Sequence, residues 1–324
     1  MKALNKTINN NNIPVNKVTL TKEEKNEIYR NKFKRAIFII LMIIVPLANF
    51  FVFYLYVNFS SIMMAFEDVN GNLNFNRLID IGSRVFSSDG DFLVYLGNTM
   101  IYFLNSIVVM MPLITFIAYF IYKKIFMYKF FRVMFFLPAI VSSLIFVTLY
   151  KALWANGGAI YTFLTETCGV VAPSDGFLAS ENWAKWMILI YTIWTGFGTN
   201  LILMTGAMNR IPEEVLEAAT LDGVGVAREL VSIILPLIWP TLTTLLVLAF
   251  TGIFTASGPL LLFTPNGEAD TMTISYYIFR AAKQGGTNSL REGAALGLFF
   301  TLIGMPIILG VKKLLERWQD AIEY

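Results

Sequence analysis

The sequence predicts an all-α, polytopic integral membrane protein with about six transmembrane helices, and three observations carry that expectation. Hydrophobic residues fill 56% of the 324 positions and charged residues only 15%, against about 25% charged in an average globular chain. The apolar residues gather into uncharged runs long enough to cross a hydrocarbon core about 30 Å thick at about 1.5 Å per residue. Lys and Arg sort to alternate connecting segments.

Six runs qualify: Ala36 to Val57, Asn98 to Tyr122, Val133 to Leu153, Trp183 to Met208, Ile233 to Phe254, and Gly293 to Val311. None contains Asp or Glu. Lys151 and Lys185 lie near run ends, where a long stem can snorkel to the interface. Cytoplasmic loops retain positive charge, so the segments were assigned sides by their basic residues. With the N-terminus inside, 18 basic residues fall on the inner side and five (Arg77, Arg84, Arg280, Lys283, Arg291) on the outer side. Both termini are therefore expected to be cytoplasmic, in a bacterial cytoplasmic membrane.

Residues 1–35 read as a cytoplasmic basic tail. The Asn-rich stretch Asn9 to Asn12 cannot bury enough surface to order itself, whereas Thr21 and Glu24 have capping-box spacing for a short helix. This tail suits either a lipid-contacting topology anchor or a partner-binding segment. The apolar run begins too far from the start, and is too long, for a cleaved signal peptide. The first transmembrane helix is placed at 36–57. The loop 58–97, with Glu67, Asp68, Asp80, Asp89 and Asp91, is expected outside. In 255–292, the short apolar pieces Pro259 to Phe263 and Ile274 to Phe279 read as an extension of the fifth helix and an interfacial or re-entrant helix. Residues 312–324 form a second cytoplasmic tail.

Composition removes much of enzymology. There is no histidine, which excludes His-based triads and HExxH zinc sites, and the lone Cys168 permits neither an intrachain disulfide nor a thiolate cluster. No Gly is followed directly by Lys, so no Walker-type phosphate loop is present. A net charge of +3 is too dispersed for nucleic-acid binding.

The fourth loop, 211–236, carries the functional signal. Pro212 suits the first position of a helix, Glu213 and Glu214 oppose the positive end of its dipole, and Gly223 and Gly225 permit a bend before Pro236. On physics alone this is a surface helix between two spans. The fixed spacing of Glu217-Ala218-Ala219, Gly223, Ile233 and Leu235-Pro236, however, resembles the EAA signature of permease subunits of binding-protein-dependent ABC importers. Asn98-Thr99, Phe130-Phe131-Arg132, Phe135-Phe136-Leu137-Pro138 and Gly206 to Pro212 are similar to the pattern of carbohydrate-uptake permeases related to those for maltose and glycerol-3-phosphate. The resemblance covers Asn98 to Arg317, and places the permease core at 98–311.

That resemblance implies a cytoplasmic coupling helix seated on a separate ATPase. Glu217 would pair with an ATPase arginine, Ala218, Ala219 and Gly223 would permit close approach, and Glu214 and Asp222 would complete the contact. It further implies a second homologous permease, an ATPase dimer that binds the ATP and Mg, an extracellular sugar-binding protein and a saccharide substrate. No cofactor and no covalent chemistry are expected of this chain itself.

The substrate path should present polar groups on apolar helices. Thr192, Thr195 and Thr199 recur at helical spacing with Gly196 and Asn200 beside them, near Trp194 and Phe197. Phe250, Thr251, Phe254 and Ser257 repeat the combination in the fifth span. Hydroxyls and amides beside aromatic rings suit a sugar, although small and hydroxylated residues also let helices pack closely in lipid. The resemblance favours substrate contact at Thr192, Thr195, Gly196 and Thr199. Trp154, Asn156, Gly157 and Tyr161 read either as saccharide or delivery-protein contacts or as an interfacial aromatic belt and turn. An autonomous secondary carrier or channel would use the same polar helices, and a structural membrane protein could dock another partner through the fourth loop. The absence of intramembrane carboxylates argues against an ion-coupled carrier.

Overall fold

Uncharged apolar runs leave the backbone one way to satisfy its polar groups in lipid, which is the helix. The computed structural model describes residues 22–68, 70–87, 91–254, 259–268 and 270–320, and the described residues are helical, with a single isolated bridge between Glu67 and Leu73. Asn9 to Asn12, Thr21 and Ser257 lie outside them.

The chain divides into two units, 1–60 and 61–324. In the first, α1 (Lys22–Asn49) leads through a π-helical turn, Phe50–Tyr56, into α2 (Val57–Ala65). The expected juxtamembrane helix and first span are therefore one helix, since nothing between Lys22 and Ala36 breaks it.

The second unit continues with α3 (Arg77–Val85), α4 (Phe92–Leu104), a π-helical segment Asn105–Met110, α5 (Met111–Tyr122), α6 (Tyr128–Ile140), α7 (Ser143–Trp154), α8 (Ala159–Thr162) and α9 (Ala184–Met208). After these come α10 (Glu213–Leu221), α11 (Val226–Arg228), α12 (Leu235–Leu237), α13 (Trp239–Thr251), α14 (Leu260–Phe263), α15 (Ile274–Lys283) and α16 (Thr287–Asp320). Among the described residues four helices are long and apolar enough to cross a membrane, rising to six if each of two bent pairs counts as one span.

The bends correct two expectations. The third run, 133–153, is not one helix: α6 and the helical stretch beginning with α7 meet at 107°. Both arms pack against the straight α9. Phe135 lies 4.9 Å from Phe197, Phe146 lies 5.2 Å from Trp194, and Tyr150 lies 5.2 Å from Tyr191 while its hydroxyl donates to the Met187 carbonyl at 2.9 Å.

The fifth run, 233–254, starts too early and ends too late. Residues 226–237 form a separate arm, bent by 76° from α13. Across the bend, Trp239 Nε1 donates to the Leu315 carbonyl at 3.2 Å, whereas Phe254 stacks on Phe300 at 4.9 Å, so this chain segment runs antiparallel to α16. The 13 residues of α13 span only about 20 Å. Pro259–Phe263 is therefore not an extension of the fifth helix but the separate turn α14, while Ile274–Phe279 opens α15. Irregular backbone at this depth is tolerated only where protein or a water-filled cavity surrounds it.

The elements sort to two ends. At one, Lys123 pairs with Glu229 and Trp239 meets Leu315. At the other, Arg291 pairs with Glu67 at 2.7 Å and Arg84 with Glu292 at 3.0 Å, tying 61–87 to the start of α16. Loop 58–97, expected only as a polar connection, thus contains α3 and the first turns of α4. Tyr277 joins this end by donating to Glu292 at 3.3 Å. Burial, then the charge of Glu292, raises its pKa above the ordinary phenol value, so it stays a donor at neutral pH.

Three apolar clusters fill the unit. One joins α5, α9 and Ile234 to Leu245; a second joins α7, the first half of α9 and Leu260 to Tyr276; the third joins Ala65, α3 and Ile274 to Ala295, Leu296 and Phe300. Asn98 and Thr99, both buried, tie α4 to the segment ahead of α15. Asn98 Nδ2 donates to the carbonyls of Asp270 at 2.6 Å and Met272 at 2.8 Å, and Thr99 Oγ1 accepts from the Ile274 N–H at 3.1 Å.

Candidate functional site

The first candidate is α10. Pro212 stands at its N-cap, and Glu213 and Glu214 fill the first turn, where the exposed N–H groups favour negative charge. At the other end Val224 N–H donates to the Ala219 carbonyl at 3.0 Å and Gly223 N–H to that of Thr220 at 3.1 Å. This pair is a Schellman motif, which needs a left-handed residue, and Gly223 supplies it with φ of +67°. Gly223 therefore acts by conformation as well as by lacking bulk.

Glu214, Glu217, Ala218 and Asp222 are exposed on this helix, but Ala219 is buried at 6%. The structure thus separates the two alanines: Ala218 is open to a partner, and Ala219 packs inside its own chain. Leu221, which sequence reasoning passed over, is 89% exposed at the helix end. Beside α10 lies an open groove of about 630 Å³, with Lys123, Lys124 and Asn209 on one side and Glu213, Glu217 and Leu221 on the other.

The second candidate is a cavity of about 330 Å³ between α4, the π-helical segment, α9 and α14. It gathers Thr192, Thr195 and Gly196, as the sequence predicts, and adds Tyr102, Asn105 and Ser106. These additions lie at helical spacing with Asn98 and Thr99, a periodicity in the second run that would have found them. The two threonine hydroxyls donate back to their own helix, Thr192 to Leu189 at 2.7 Å and Thr195 to Tyr191 at 3.0 Å, which leaves their oxygens free to accept. Asn105 Nδ2 reaches Thr192 Oγ1 at 3.4 Å, and the buried Tyr102 hydroxyl has no protein partner. At Gly196 a methyl group would meet the Met110 sulfur, so any larger residue there must displace the end of the Met110 side chain. Among the described residues that line it there is no carboxylate or ammonium group.

Other predicted positions fall elsewhere. Thr199 is exposed outside the cavity, and the Asn200 amide donates to the Gly196 carbonyl at 3.1 Å. Phe250 packs on Phe103 at 4.8 Å, beside a smaller void of about 100 Å³ lined by Tyr102, Ser106 and Gly252. Thr251 and Phe254 face a different, apolar hollow against α16. The bend and early end of α13 explain this: residues beyond Thr251 no longer follow the helical phase assumed for them. Trp154 and Tyr161 pack on Phe177, Asn156 holds the Ser174 carbonyl at 2.7 Å, and Gly157 takes φ of +77°. The structure places them in an aromatic cluster and turn.

Comparison with known proteins identifies the family. The family described as "Binding-protein-dependent transport system inner membrane component" matches residues 79–320, and the chain belongs to it: it is a multi-pass membrane permease subunit of a transport system. It is similar to the multiple sugar-binding transport system permease protein MsmF of Streptococcus mutans, at 26% identity over 83% of this chain and 92% of that one. It is similar also to the polygalacturonan/rhamnogalacturonan transport system permease protein YteP of Bacillus subtilis, at 24% identity over 95% and 96%. The maltose/maltodextrin transport system permease protein MalF of Salmonella typhimurium is 30% identical over 56% of this chain but only 37% of its own length. A chain of a bacterial ABC transporter involved in the import of the acidic polysaccharide alginate shares the fold, with a TM-score of 0.75 at 22% identity over 89% of this chain and 98% of that one.

Proposed function

We propose that this chain forms the saccharide path of an ATP-driven importer, in which it works with a second homologous permease, an ATPase dimer and an extracellular sugar-binding protein. The observation that carries the reading is the uncharged cavity of hydroxyl, amide and aromatic groups. Thr192 and Thr195 accept from sugar hydroxyls, and Asn105 and Tyr102 donate. At about 330 Å³ the cavity is near the lower end of the range of about 300–1,000 Å³ for ligand sites, a size for one part of an oligosaccharide. The names of the relatives, which concern sugars, support the substrate class.

The driving force comes from outside the chain, and ATP and Mg bind the partner ATPase. Closure of that dimer moves α10 as a rigid body, with Glu217 paired to an arginine and Leu221 filling an apolar depression. The end carrying α10 faces the cytoplasm, the end carrying Glu67, Arg84 and Arg291 faces out, and both chain termini are cytoplasmic. The basic residues clustered near Lys123 and Lys312 support this orientation.

Uptake by the complete transporter, measured over a panel of neutral oligosaccharides, tests the assignment. Thr195→Val and Tyr102→Phe keep shape and remove a hydroxyl, leaving a substrate group unpaired at about 1–3 kcal/mol, so uptake should fall about fivefold or more, or shift its preference. Loss of assembly with unchanged relative uptake would make these packing residues instead.

A further inference from the structure

We infer that the Lys123–Glu229 ion pair is the link that carries movement of α10 into the helix lining the cavity, with Glu229 a positioning residue for that cavity. The inference rests on the reading of α10 as the ATPase contact. Glu229 is buried at 7% exposure, and both its carboxylate oxygens take Lys123 Nζ, at 2.8 and 3.2 Å. Only the turn from Asp222 to Gly225 separates α10 from α11, and Glu229 follows α11 directly, its N–H held by the Gly225 carbonyl at 2.9 Å. Lys123 stands at the C-cap of α5, where a cation suits the helix dipole, while Glu229 sits in the first turns of its own arm, where an anion does. The pair therefore joins the end of one helix to the beginning of another.

Upstream of Lys123 the helix is continuous from Phe92 to Tyr122 and carries Tyr102, Asn105 and Ser106 to the cavity. Elsewhere the helix meets the arm through the buried Tyr119 hydroxyl, which lies beside Glu229 but makes no hydrogen bond, and through the apolar cluster of Ile114, Ile121 and Ile234, with Ile238 just beyond the arm. Apolar surfaces hold parts together without fixing direction, whereas a two-oxygen ion pair fixes where the arm grips the helix. Stability alone does not call for it, since well-packed apolar residues commonly replace a buried ion pair without loss. A directional grip at one end of a rod that bears the cavity lining at the other is a transmission element.

The test uses the complete transporter in membranes, with Ser106→Cys as reporter in a Cys168→Ser background. It reads the rate at which a charged, membrane-impermeant thiol reagent modifies position 106 before and after ATP with vanadate. With the pair intact the rate should change about tenfold. In Glu229→Gln, and in the Lys123→Gln/Glu229→Gln variant that leaves no uncompensated charge, the change should fall below about twofold while the ATPase co-purifies at parent yield. The charge swap Lys123→Glu/Glu229→Lys should restore it. A full change in the double amide variant, loss of the ATPase from it, or no change at position 106 in the parent would each overturn the inference. The underlying reading fails separately, when Glu217→Lys retains the ATPase at parent yield.

Discussion

Two stretches of this chain resemble the same family pattern and do opposite work. Asn98-Thr99 is buried and turns inward, and its side chains bond the backbone of the segment ahead of α15. Glu217-Ala218 is exposed and turns outward, with no tertiary partner of its own to satisfy. A family pattern thus mixes residues that bond within the fold with residues left exposed, and burial separates them where sequence does not. Ala219 shows how fine the division is, since it adjoins Ala218 and lies inside.

Three substitutions sharpen this contrast, in descending order of their expected effect on the chain's own stability. Asn98→Ala should weaken the chain most, because the buried Met272 carbonyl loses its donor at about 1–3 kcal/mol and the part-buried Asp270 carbonyl loses its donor as well. A fall in thermal stability of the purified permease, with ATPase association retained, would bear this out; unchanged stability would remove the anchoring role. Gly223→Ala should act on both counts, because a side chain in the left-handed region costs about 1–2 kcal/mol and distorts the end of α10. Hydrogen exchange at Gly223 and Val224, measured beside ATPase co-purification, checks it, and protection at the parent level would contradict it. Glu217→Lys should leave stability within about 0.5 kcal/mol, as expected for an exposed position, while ATPase co-purification drops. A stability loss comparable to that of Asn98→Ala would erase the distinction between inward and outward residues.

The six apolar runs were legible because their length alone fixes their environment. The breaks were not read, since composition is equally apolar on both sides of each bend. The punctuation was nonetheless present: Pro138 lies just before the break between α6 and α7, and Pro236 and Pro240 flank the one at Ile238. Proline removes a helix donor and its ring crowds the preceding turn. Thr192, Thr195 and Gly196 fall together on one cavity wall because α9 is straight and its phase holds. Thr199 lies about 10 Å along the axis from Thr192, past the edge of the cavity. Tyr102, Asn105 and Ser106 were missed although they follow the same spacing rule, because it was applied only to the fourth and fifth runs. The role of Glu229 depends on Lys123, 106 positions earlier, a contact that no local pattern announces.

The segment from α14 to α15 beside the cavity is held twice over: Leu260, Phe263, Met272 and Tyr276 fill the second apolar cluster, and side chains hold its carbonyls. Lys151 holds the carbonyls of Leu262 and Phe263, Tyr276 that of Pro265, Arg280 that of Asn266, and Asn98 those of Asp270 and Met272. A carbonyl is the same whichever residue bears it. Substitution at the exposed positions Leu261, Pro265, Asn266, Glu268 and Asp270 therefore leaves these anchors in place, whereas the buried Leu260, Phe263, Met272 and Tyr276 are fixed by the cluster they fill.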